Sequence, residues 1–318
     1  MAEYKGIKGF NIQTVSSDPA NPLVGEVWYN STSATIKYRD GATSAAWSSG
    51  GALGSSNYNN SGTGIQTAAL SIGGYPSLNA TEEYNGTAWT AGGTLGATHN
   101  GLAAAAGTQT AAIYFGGRPG SAQTYNGSSW TAVTALTTAR DSLGGCGIQT
   151  AALAFGGAPG PGVISNLTEE WNGSSWTAGG VLPSIIERNA GCGTQTAALS
   201  MGGEPPPTGT TVTNEYNGTS WTAGGSLGIA RAQSAAAGLQ TAALVFGGGP
   251  GSKTNTEQYD GSSWTSTASM SLGRSILAGA GTQPAALAFG GETPGGKTST
   301  TEEFNGAALA ATKTVGTD

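Results

Sequence analysis

The chain carries one histidine, His99, and two cysteines, Cys146 and Cys192, in 318 residues. Zinc and copper sites are assembled from clustered His, Cys and carboxylates, and a nucleophilic triad needs a His beside its partners. One His and two separated Cys supply neither, so no catalytic residue, metal or cofactor is expected. Each Cys lies three residues before a Gln (Gln149, Gln195) in matching stretches, which reads as a small core residue rather than half of a disulfide. Three adjacent acid pairs, Glu82–Glu83, Glu169–Glu170 and Glu302–Glu303, look at first like partners for acid/base work. In a strand, neighbouring side chains point to opposite faces, so the two members of a pair cannot act together, and solvated or Arg-paired edges are expected instead. An Arg recurs ahead of small-residue runs, at Arg140, Arg188, Arg231 and Arg274. Loop bracing through backbone carbonyls is its expected role, with ligand binding the alternative.

What must position these residues is legible in the composition. Gly accounts for 55 residues, yet 8 Trp, 10 Tyr and 6 Phe give the chain a core that disordered Gly-rich tracts lack. Only 9% of residues are charged and the net charge is −6. No basic face is available for phosphates or anionic lipid, so neither nucleic acid nor membrane insertion is expected. No apolar run of signal-peptide type stands at Met1–Phe10 and no stretch approaches the roughly 20 apolar residues of a membrane span. Synthesis and initial residence in the host cytosol are therefore expected.

The chain repeats. Six segments run from a Gln to a Gly pair: 66–74, 109–117, 149–157, 195–203, 240–248 and 283–291. Each is followed by a variable stretch, an aromatic, a tight Asn-Gly or Asp-Gly turn and usually a Trp, as in Tyr84-Asn-Gly-Thr-Ala-Trp89. Asn-Gly between strand-like residues predicts a hairpin, on the expectation of a type I′ turn with both central residues at positive φ. The Trp series is Trp47, Trp89, Trp130, Trp176, Trp221 and Trp264, with Leu309 in the seventh place. A period in the low forties with four short strands per unit predicts a blade. The innermost strand, a, is the small-residue run; b is the apolar run before the Gly pair; c ends at the aromatic; d carries the Trp. Small residues suit strand a because inner strands crowd near the axis, while the aromatics fill the outer wedges.

The apolar run ending in Gly-Gly, the Tyr and Trp after it and the Arg ahead of strand a resemble the kelch motif over about residues 45–315. The short Tyr-to-Trp turn and low charge further resemble the Gly/Ala/Thr-rich kelch-like proteins of bacteriophage virions, especially marine ones. The resemblance implies an all-β, six-bladed kelch-like β-propeller (residues 45–318), with seven blades the runner-up. Trp47 is expected to stand beside the last blade, whose own outer strand, Leu309–Val315, has lost its Trp, so that the two ends latch the ring. Residues 1–44 form an N-terminal extended arm, Gln13–Leu23, and a hairpin, Gly25–Asn30 with Thr35–Arg39, expected to dock. Kelch-like oxidases need His and Tyr ligands and a Cys cross-link that are missing here. The Asn-Gly-Ser/Thr-x-Trp units differ from the sialidase Asp-box in placing Asn beside its Gly, and read as turn chemistry.

The gap from the Gly pair to the aromatic is the element that varies most from copy to copy. In an antiparallel meander the b–c and d–a connections share one face, so these variable segments are expected to gather there with Arg118, Glu204, Lys253, Glu292, Lys297 and His99. The expected function is a non-enzymatic phage virion structural protein, a tail fibre, knob or capsid decoration. It would be joined to other virion proteins through its N-terminal arm and would present the loop face to a host-surface glycan or a protein. A stand-alone carbohydrate-binding module is the alternative, and a carbohydrate-active enzyme a third. A homo-oligomer, if formed, would not use a coiled coil, because no heptad run exists.

Overall fold

The structure, a computed structural model, describes residues 12–19, 26–39, 44–76, 79–96, 100–118, 120–204, 208–306 and 312–314. All regular structure among them is β. The chain divides into two compact units, one of residues 1–45 with 306–318 and the other Ala46–Asn305.

The larger unit contains six four-stranded antiparallel sheets, here blades 1 to 6: 61–91, 100–133, 144–178, 190–223, 235–267, and 278–305 completed by Ala46–Ser49. Each inner strand a lies against the strand a of the next blade, and that of blade 6 against that of blade 1, which closes the ring. The latch is strand Ala46–Ser49, the outer strand of blade 6, with Trp47 opposite Phe304. Leu309–Val315 does not supply that strand. Its described part, Thr312–Thr314, pairs instead with Thr35–Arg39 of the smaller unit, and the rest lies outside the described residues. Trp47 takes the outer place because its indole packs between Phe246 and Phe304, at 5.1 and 5.2 Å, ring contacts for which residues 309–315 have no aromatic side chain.

Three hydrogen bonds recur between neighbouring blades. The Gln before each strand b donates to two carbonyls of the preceding blade; Gln109 reaches Ala69 and Tyr84, and Gln66 reaches Ala286 and Phe304 across the closure. In five blades the Trp Nε1–H donates to a strand-c Thr of the preceding blade, as Trp221 does to Thr168 and Trp89 to Thr301, while Trp176 donates to Thr134 O. The Tyr at the end of strand c donates to a Glu of the preceding blade: Tyr84 to Glu303, Tyr125 to Glu83, Tyr216 to Glu170 and Tyr259 to Glu215, at 2.5–2.6 Å. Where the next aromatic has no hydroxyl in this place, Trp171 and Phe304, the preceding blade has Thr124 and Gln258 instead of Glu.

Packing at the inner strands is matched in the same way. A Cβ on Gly145, Gly191, Gly279 or Gly62 would stand 2.6–2.7 Å from the ring tip of Phe115, Phe155, Phe246 or Phe289 in the preceding blade. Where that blade ends strand b in Ile72 or Met201, the inner strand carries Ala105 or Ala236.

The c–d hairpins form, but not as type I′ turns. The loop has four residues between paired Tyr84 and Trp89, and only Gly86 has positive φ. Asn85 acts through its side chain, Oδ1 accepting from the N–H groups of Thr87 and Ala88 at 3.0 and 2.9 Å, so the residue is chosen as an acceptor.

The smaller unit is a sheet in the order Gln13–Val15, Val27–Asn30, Thr35–Arg39, Thr312–Thr314. Gln13–Val15 is thus a paired strand, parallel to Trp28–Asn30, and not an extended arm; residues 20–25 lie outside the described set. Asp18 ties it together, accepting from Trp28 Nε1 at 3.1 Å, Asn30 Nδ2 at 2.7 Å and Lys37 Nζ at 2.8 Å. Val27 and Ile36 remain about 40% exposed on this sheet.

Candidate functional site

The acids and arginines singled out in the sequence are mostly consumed by the scaffold. Arg140, Arg231 and Arg274 are fully buried and paired with the first Glu of strand c, Glu169, Glu257 and Glu302, at 2.7, 2.5 and 2.9 Å. Arg231 and Arg274 also donate to two carbonyls each, of Gly247 and Asn255, and of Gly290 and Thr300. Burial lowers each guanidinium's pKa and the facing Glu raises it, yet these groups stay charged and bonded. The adjacent Glu pairs therefore divide their labour, one member holding an incoming loop and the other the next blade's Tyr.

Arg188 does not belong to this series. Counted from the matching residues Cys146, Cys192, Ala237 and Ala280, the bracing place in blade 4 is Ile186, and strand c there has Asn214 in place of Glu. Arg188 falls two residues later, on the circle of residues around the axis: Asn59, Leu102, Ser142, Arg188, Gln233 and Ile276. Five of these have φ between 54° and 61°, including β-branched Ile276. The left-handed region is costly for such residues, of order 1–3 kcal/mol each, and persists where the surroundings impose it. Here the conformation is held by a chain of backbone bonds: Ser142 N–H to Leu102 O, Arg188 to Ser142, Gln233 to Arg188, Ile276 to Gln233 and Asn59 to Ile276, at 2.6–3.1 Å.

Outside this circle, residues from the d–a and b–c connections bridge one another in pairs: Tyr58 with Tyr75, Asp141 with Ala158, Glu187 with Glu204, Ala232 with Gly249 and Ser275 with Glu292. The two sets of connections share one face, and at these equivalent places the repeats differ in aromatic, acidic and small side chains. At the mouth of the axis lies a recess of about 430 Å³, walled by the axial circle together with Arg118, Asp141, Glu187 and the Ala158–Gly162 loop. Arg118 is paired with Asp141 at 2.5 Å and Arg188 with Glu204 at 2.8 Å. Burial raises the pKa of Glu187, Arg188 opposes the rise, and Glu204 and Asp141 add to it.

The candidates fall unevenly on this face. Arg118 lines the recess, and Glu204 reaches it only through Arg188. Lys253 folds back on its own loop, Nζ donating to Pro250 O at 2.5 Å. Glu292 and Lys297 are partners in a small hairpin, Glu292–Thr293 with Gly296–Lys297, and Lys297 Nζ lies 5.7 Å from the ring centre of Tyr75. His99 lies outside the described residues. Sequence reasoning missed Asp141, Glu187, Arg188 as an axial residue, and the Tyr58–Tyr75 pair, whose rings are 5.5 Å apart with Tyr75 half exposed. The available signal was that these two Tyr stand outside the repeating aromatic ladder.

Cys146 and Cys192 are free and buried on adjacent inner strands, near the opposite end of the axis. Burial pushes the Cys192 thiol up to about 12, which makes it an inert core group. No cluster of three or more His, Cys, Asp or Glu fit for a metal exists among the described residues, and no helix among them is long and apolar enough to cross a membrane.

The repeated four-stranded sheets and their closure define a kelch-like β-propeller. Its architecture is similar to that of a solved protein, described as the structure of YjhT, with a TM-score of 0.65 and 14% identity over 84% of this chain and 100% of that one. That likeness concerns the fold alone. No family model matches the chain, and a search of curated proteins finds no match.

Proposed function

We propose that this chain is a non-catalytic structural protein of a phage particle whose b–c/d–a face binds a surface saccharide. The observation that carries the reading is the division of the repeat. Its recurring polar groups, the buried Arg–Glu pairs, the Gln donors and the Tyr–Glu bonds, are spent on closing the ring. The residues that differ from blade to blade collect on one face, and some of them, Arg118, Asp141 and Glu187, line the recess at its centre. A rigid scaffold with diverging loops is the usual arrangement for recognition. The half-exposed Tyr75, backed by Tyr58 and flanked by Lys297, supplies an aromatic face of the kind on which a sugar ring stacks. The virion setting rests on the resemblance of the repeat to phage particle proteins, and in it the N-terminal sheet serves as the attachment to other virion proteins.

A glycan array probed with the isolated chain tests the binding reading. Signal that is lost in Tyr75→Ala supports it, and an array without signal removes it. Mass spectrometry of purified particles tests the setting separately, since a protein absent from virions cannot be a virion component.

A further inference from the structure

Charge in the axial recess does not balance. Its cations, Arg118 and Arg188, are each committed to an acid, Asp141 and Glu204. Glu187 also faces the recess, and among the described residues its carboxylate takes no hydrogen bond and no ion pair. One negative charge is therefore left over at the rim of the recess, on a half-buried carboxylate whose loss of water is not offset by a partner.

Beneath the mouth the channel narrows to a cavity of about 130 Å³ that shares Leu102, Ser142, Arg188, Gln233 and Ile276 with the recess. Asn60, Asn189 and Ser234 are among its lining residues, and Asn60 and Asn189 are more than nine-tenths buried. Asn60 and Asn189 each spend one amide N–H, on Ser71 and Ser200, while Asn60 Oδ1, Asn189 Oδ1 and Ser234 Oγ have no partner. Buried polar atoms without partners are uncommon. The axial N–H groups cannot serve a ligand either, because five of them are already bonded to carbonyls around the circle. What the recess lacks is one positive charge, that of a partner for Glu187.

We propose that the recess selects a saccharide bearing a free primary ammonium, an amino sugar that is not N-acylated, with Glu187 as its counter-charge. This deepens the saccharide reading above and rests on it. An ammonium brings the missing positive charge together with N–H donors for the Glu187 carboxylate. A carboxylated or sulfated sugar would set a second anion beside Glu187 with both arginines taken, and an N-acetylated sugar would leave Glu187 unpaired. The raised pKa of Glu187 accords with a carboxylate that lacks its cation.

The test is isothermal titration of the full chain near neutral pH with a chitosan tetramer, its fully N-acetylated counterpart, and the monosaccharides glucosamine and galactosamine. The deacetylated tetramer is expected to bind about 10- to 100-fold more tightly than the acetylated one, the range for one charge-assisted contact. Glu187→Gln should abolish that preference without lowering the melting temperature, because the substitution removes an unpaired, half-buried charge. Equal binding of the two tetramers, or a preference that survives in Glu187→Gln, overturns the proposal. If acetylated or neutral sugars bind well on the array while amines show no advantage, the saccharide reading stands and the amine selectivity falls. If neither tetramer nor either monosaccharide binds, the selectivity falls, and the array decides the saccharide reading.

Discussion

At the level of single residues, the ring depends on groups whose protonation is set by their partners. Tyr84, Tyr216 and Tyr259 are pushed up to about 12, first by burial and then by the Glu that accepts a hydrogen bond from their hydroxyl. A folded value above the ordinary 10.0 means that this stabilisation is complete below pH 10 and is lost as pH rises through about 12. Alkaline titration should therefore show the three phenols ionising together with loss of near-ultraviolet circular dichroism, late relative to free tyrosine. Ionisation near 10 with the fold intact would contradict the Tyr–Glu bonds. Asp18 shows the opposite sign. Hydrogen bonds from Lys37, Asn30 and Trp28 hold it down to about 2, so its contribution is present above its ordinary value of 3.8 and is lost as pH falls from there towards 2. Asp18→Asn should loosen the small sheet at neutral pH and flatten its acid transition, with Trp28 fluorescence as the readout.

At the level of elements, the ring is built from pairs of strands that have been fitted to one another. Gly145 faces Phe115, while the corresponding place after Ile72 is Ala105. Gly145→Ala sets a methyl 2.7 Å from both the Phe115 ring and Ala104 Cβ. A loss of about 1–3 kcal/mol is expected from such overpacking. Phe115→Ile should recover part of it, because the double variant reproduces the combination found between blades 1 and 2. Chemical denaturation of the two single variants and the double variant forms the cycle, and additive losses would show that the two places are not coupled. How much of each element was legible follows from range. The four strands, their order and the small inner residues could be read from local pattern. The turn type could not, because Asn beside Gly serves equally as a positive-φ residue and as a side-chain acceptor. The displacement of Arg188 was hidden too, because one Arg before a small-residue run looks like another until the register of strand a is fixed.

At the level of the molecule, stability is a property of closure. Each blade is held to its neighbours by Gln and Trp hydrogen bonds, joined at four of the six junctions by a Tyr–Glu bond, and the seam between blades 6 and 1 has all three through Gln66, Trp89 and Tyr84. The added strand Ala46–Ser49 completes blade 6, its Trp47 donating to Thr256 and to Ala268 O, both at 3.0 Å. Trp47→Ala is expected to cost about 3 kcal/mol, the lower end for a large aromatic because the indole is only partly buried. Calorimetry should show blade 6 and the rest of the ring melting together at a lower temperature. A separate early transition with the remainder unchanged would mean that the latch is not part of the cooperative unit.

The sequence by itself determined the repeat, its all-β character and the surface on which its variable segments emerge, because these follow from side-chain periodicity and from the alternation of connections along a meander. It also contains the matched pairs, Glu83 with Tyr125 or Phe289 with Gly62, but as residues 42 and 227 positions apart with nothing local to join them. Only the tertiary structure decided which residues meet. Closing the ring brings the first and last blades together, puts Trp47 where a C-terminal strand was expected, and rotates six equivalent places onto one axis. The leftover charge of Glu187 exists only there, since a charge balance is a property of what surrounds a group in space.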